Sequence, residues 1–109
     1  MKIIKVAKLN DGRIAVYPAA VDQTYEYIYR EAAGVYWNHE LGCFHSTLPK
    51  DWNHQQWYGQ IVTVVWSGLK IKLDLTPDTQ YEGTPDSFKA DIISANEDVQ
   101  KWIHDHENR

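Results

Sequence analysis

The side chains best suited to chemistry crowd into one short stretch, where His39, Cys43, His45 and His54 fall within sixteen residues. Imidazole and thiolate are common zinc ligands, and a thiol beside an imidazole can begin a nucleophilic site. On a strand, Cys43 and His45 point to the same face, so a cluster completed by His39 or His54 is geometrically allowed. The spacing argues against it. Structural zinc sites use four convergent ligands, usually in pairs separated by two or more residues, and Cys43-Phe44-His45 does not match that pattern. Glu26, Glu31 and Glu40 show no spacing that singles out an acid–base pair. The six glycines are isolated, so nothing resembles a phosphate loop. His104-Asp105-His106 sits at a helix C-terminus, where a cation is mildly favourable, and reads as structural. The expectation is a protein with no metal and no cofactor that binds rather than catalyses.

The aromatic residues are the stronger irregularity. Ten of the fourteen lie between Tyr25 and Trp66. A domain of this size buries only about two-thirds of its surface on folding, and 23 Ile, Leu and Val already supply much of a core. Some rings should therefore reach the surface, where Tyr and Trp offer rigid contact area with a hydrogen-bonding tip. The expected binding surface is Tyr36, Trp37, Trp52, Trp57 and Tyr58, and the expected partner is another protein or a second copy of the chain. Two alternatives stand beside it. The rings fill the core, or they line a small-molecule pocket, conceivably catalytic, that includes His39, Cys43, His45 or His54.

Charge and composition narrow the partners. The chain has 109 residues and a net charge of −4. Its first fifty residues hold six basic and five acidic side chains, and the rest hold five and ten. Phosphate backbones demand clustered Lys and Arg, so nucleic acid is not an expected partner. Lys2, Lys5, Lys8 and Arg13 read as guards that keep an edge strand from pairing with other chains. A lysine at every third position from Lys2 to Lys8 leaves no apolar run for a secretory leader. The longest uncharged stretch, Trp52 to Leu69, is too rich in Asn, His and Gln for a membrane span. With one thiol and no disulfide framework, the chain is expected to be cytoplasmic and without a membrane partner. In size, acidity and aromatic content it resembles small accessory proteins such as toxin-immunity proteins, a likeness of composition that rests on no shared motif.

These side chains must be positioned by the elements that the pattern predicts. Lys2 to Leu9 and Arg13 to Tyr17 flank Asn10-Asp11-Gly12 and predict a hairpin. Asp22 and Gly34 bracket an expected helix over Gln23 to Ala33, although Tyr25, Tyr27 and Tyr29 also alternate like a strand. Val35 to Asn38 and Cys43 to Thr47 predict a second hairpin. Between Asp51 and Trp66, β-branched residues compete with a helical i, i+4 stripe, and the stripe favours helix. Leu69 to Leu75 alternates strictly and reads as the clearest strand, followed by a loop from Pro77 to Gly83. Thr84-Pro85 reads as the start of a helix that breaks near Ser94 and resumes to about Asp105. The sum is one α+β domain over residues 1–109: a mostly antiparallel sheet of about five strands with two to four helices packed on one face.

Overall fold

Gly12 adopts a φ of 91°, the conformation that its turn needs, and it joins strand β1 (Ile3–Lys8) to the antiparallel strand β2 (Ile14–Pro18). The structure, a computed structural model, describes residues 1–28, 34–47 and 52–107. A second hairpin pairs β3 (Val35–Asn38) with β4 (Cys43–Ser46), and a short parallel strand β5 (Gln80–Glu82) closes the sheet in the order β3-β4-β2-β1-β5. Three of the four pairings are antiparallel. Helices α1 (His54–Leu69) and α2 (Phe88–Glu107) pack on one face of this mixed sheet, an α+β architecture.

Register decides which side chains meet the helices. Val6, Val16, Phe44 and Trp37 form one row across four strands and face inward, against Tyr58, Ile61, Val62 and Val65 of α1. The next row, Ala7, Ala15, His45 and Tyr36, faces outward. There Ala7, Ala15 and Cys43 form a small separate cluster under Leu9 and Tyr17.

Helix α1 shows the stripe prevailing over β-branched propensity, because burying its apolar face gains more than propensity costs. Asn53 and Gln56 form a reciprocal capping box, and the helix ends at Lys70 in the left-handed conformation, later than Ser67-Gly68 suggests. In α2 the expected break near Ser94 is absent and the helix runs unbroken. Its Asn96 side chain is engaged elsewhere, accepting from Tyr58 Oη at 2.7 Å and donating to Asp74 at 2.9 Å. The helix also starts at Phe88, past Thr84-Pro85.

Other expectations are corrected. Residues 70–75 are not a strand: they make a single parallel bridge, Lys2 with Asp74. Their backbone is satisfied by other means, since Met1 donates its ammonium to Lys72 O and Gln100 donates to Leu73 O. The alternation there reflects Leu73 buried under the helices. Pairing with β1 resumes only at β5, inside the segment read as a loop, after Thr79 Oγ1 donates to Ile3 O at 2.6 Å. That pairing makes β1 an interior strand, so Lys5 and Lys8 guard no edge; Lys5 lies over Tyr17, and Lys8 reaches Thr84 O. Within the helix expected over Gln23 to Ala33, Gln23–Tyr27 form a 3-10 turn capped by Asp22 as expected, and Ile28 is α-helical. Residues 29–33 of that helix lie outside the described residues.

Candidate functional site

Edge strand β3 pairs with β4 alone among the described residues, and aromatic rings gather around it. Alternation along the strand sends Trp37 inward and Tyr36 outward. The capped 3-10 turn places Tyr25 edge-on to Trp37, with ring centroids 5.0 Å apart and planes at 80°. Phe44, the cross-strand neighbour of Trp37, lies 4.9 Å away. From the first turn of α1, Trp57 reaches over Gly34, the residue before β3. A Cβ at Gly34 would come within 2.9 Å of the Trp57 ring, and Gly34 holds a φ of 83°, so glycine is needed there on two counts. Trp52 packs on Trp57 at 4.7 Å while staying 42% exposed.

Two polar atoms at this edge are unsatisfied. The indole nitrogens of Trp37 and Trp57 are buried and have no hydrogen-bond partner among the described residues. A buried donor left without an acceptor costs about 1–3 kcal/mol, and native structures hold few of them.

The five expected site residues therefore separate. Trp37, Trp52 and Trp57 come together at the β3 edge, joined by Tyr25, which the sequence reading did not select. Asp22, the N-cap that fixes the turn, was the available signal for Tyr25. Tyr36 is 39% exposed on the opposite face of the sheet and stacks on His45 at 5.7 Å. Tyr58 is fully buried and bonded to Asn96, with its hydroxyl pKa pushed up by desolvation, so it belongs to the core.

The four thiol and imidazole residues do not converge. Cys43 is buried on the outer face of the sheet, where desolvation pushes its thiol up to about 11, so it stays protonated at neutral pH. His45 shares that face but turns Nδ1 to Ser46 O at 2.9 Å. His39 lies 3.6 Å from Glu26 in an exposed pair. His54 is on the helix side, donating from Nε2 to Asp91 at 2.8 Å. That bond, with a smaller contribution from Ser87, holds the Asp91 carboxyl below its usual range. The His54–Asp91 contact joins α1 to α2. Among the described residues no group of three or more His, Cys, Asp or Glu could hold a metal ion, and no helix is long and apolar enough to cross a membrane.

Residues 3–79 match the family model of the integron cassette protein Hfx_Cass5. A solved structure of Hfx_Cass5, from the mobile metagenome of the North West Arm sewage outfall, is 33% identical in sequence. The match covers 87% of this chain and 93% of that one, with a TM-score of 0.41. No curated protein matches the chain.

Proposed function

This chain belongs to the Hfx_Cass5 family of integron cassette proteins, and from that premise we propose that it is a protein-binding module whose recognition surface is the aromatic edge around β3. The observation that carries this reading is the pair of orphaned indole donors beside the exposed Trp52. A partner that draws the rings outward and offers carbonyl oxygens relieves a cost that the isolated chain bears.

Composition supports the same place. Strands β3 and β4 and helix α1 contain no Asp, Glu, Lys or Arg, although the whole chain is 24% charged. Depletion of charge with enrichment of aromatics characterises the centre of protein interfaces. The partner we favour is a second copy of the chain. Two β3 edges related by a two-fold axis would each present main-chain carbonyls and amides to the other, and the acidic excess lies mostly after residue 69, away from β3.

Sedimentation across a dilution series tests this directly. The wild-type protein is expected to gain mass with concentration, and Trp52→Ala is expected to remain monomeric with an unchanged fold. A wild-type monomer at every concentration, or a Trp52→Ala variant that assembles like wild type, overturns the reading.

A further inference from the structure

Helices α1 and α2 leave a groove of about 610 Å³ between them. That volume is within the range of small-ligand sites, roughly 300–1,000 Å³. Gln55, Gly59 and Thr63 form one wall, and Ser94, Asp98 and Trp102 form the other. We infer that this groove binds a small organic cation, an alkylammonium group, held between the Asp98 carboxylate and the Trp102 ring. The inference is independent of the proposal for the β3 edge.

Charge, geometry and packing support it. Asp98 and Trp102 are one turn apart on α2, so a carboxylate and an indole line the same side of the groove, the pair that recognises ammonium groups by charge and by cation–π attraction. No lining residue is basic, and Asp98 makes no ion pair among the described residues.

Elsewhere three aromatic rings carry one of the chain's own lysines. Lys5 lies 4.4 Å over Tyr17, Lys70 lies 5.1 Å over Trp66, and Lys89 lies 5.5 Å over Tyr81. No described lysine or arginine lies over Trp102, which stays 37% exposed and is braced by His106 at 3.8 Å and Trp66 at 5.7 Å.

The opposite wall offers acceptors. Gln55 spends its amide N–H on Asp91 O at 3.3 Å, which leaves its carbonyl oxygen for a ligand. Gly59 keeps the floor open: nothing lies within 4 Å of the Cβ that alanine would add, so helix packing does not require a glycine there. A mid-helix glycine nonetheless costs about 0.5–1 kcal/mol relative to alanine.

Choline is a suitable probe, and its uncharged isostere 3,3-dimethyl-1-butanol is the control. In a two-dimensional amide and indole NMR titration, choline is expected to shift the Trp102 indole signal and the Gly59, Thr63 and Ser94 amides saturably, and to bind at least about fivefold tighter than the isostere. Asp98→Asn is expected to remove that preference. Gly59→Leu, which adds bulk where nothing lies within 4 Å of a Cβ, is expected to abolish the shifts. Equal affinity for both probes, no groove signal moving with choline, or an unchanged preference in Asp98→Asn overturns the inference.

Discussion

The β3 edge and the groove between α1 and α2 differ in chemistry, and their glycines show it. At the β3 edge, Gly34 is forced by a positive φ and by the Trp57 ring 2.9 Å from where a Cβ would stand. In the groove between α1 and α2, Gly59 faces open space. The strands β3 and β4 and helix α1 at the edge carry no Asp, Glu, Lys or Arg and are rich in rings, with two N–H donors in want of acceptors. The groove is acidic and rich in acceptors. One glycine exists because the protein is tightly packed there, and the other because it is not. The contrast separates a residue that the fold requires from one that packing does not constrain.

The largest expected effect follows from that difference. Gly34→Ala should lose about 2–4 kcal/mol of stability, from left-handed strain plus overpacking against Trp57, measured by urea unfolding. If it unfolds like wild type, the close approach of α1 to the β3 edge is wrong. Tyr58→Phe should lose about 1 kcal/mol by leaving Asn96 short of a partner between α1 and α2. Gly59→Ala should move the other way, gaining about 0.5–1 kcal/mol in the same assay, since helix propensity improves and nothing is displaced. A loss at Gly59→Ala would mean that the groove is closed and the contrast false.

Two pH experiments bear on the rest of the frame. The folded-state pKa of Asp91 is lowered, chiefly by the hydrogen bond from His54, so its contribution is present above the unfolded carboxylate pKa and is lost as pH falls through the folded value. Asp91→Asn should therefore flatten the acid limb of the stability curve, and an unchanged limb would show that the His54–Asp91 clasp joining the helices is idle. The Cys43 thiol is raised to about 11, so its protonated form favours folding below the unfolded value of 9.0, and that contribution fades as pH rises toward about 11. Alkylation of Cys43 near pH 8 should be limited by opening of the fold; rapid modification of the native protein would contradict its burial.

Much of the fold was legible where local and tertiary demands agreed. Asn10-Asp11-Gly12 and the Val35 to Thr47 hairpin each point to one conformation and each formed, while in α1 the apolar stripe outweighed a β-branched propensity that pointed the other way. The misreadings have a shared cause. Leu69 to Leu75 alternates because Leu73 is buried beneath helices, and period-2 burial does not reveal whether a neighbouring strand is present to pair with it. Lys5 and Lys8 resembled edge guards because sequence does not show that β5 returns, 76 residues later by the Lys8–Thr84 contact, to cover β1.

The site was legible as a region and not as a surface. The clustered rings were visible, yet strand alternation divides Tyr36 from Trp37, and helical phase sends Tyr58 into the core while Trp57 reaches the β3 edge. The orphaned indole donors had no signal in sequence. Neither did the groove, because nothing in local spacing shows that α1 packs beside Asp98 and Trp102.

The most direct test of the binding edge follows the five tryptophan indole N–H signals by NMR while protein concentration is raised through the mass transition. The Trp37, Trp52 and Trp57 signals are expected to shift with assembly, whereas those of Trp66 and Trp102 stay in place. Signals that never move, or movement confined to Trp66 and Trp102, would contradict the assignment of the β3 edge as the recognition surface.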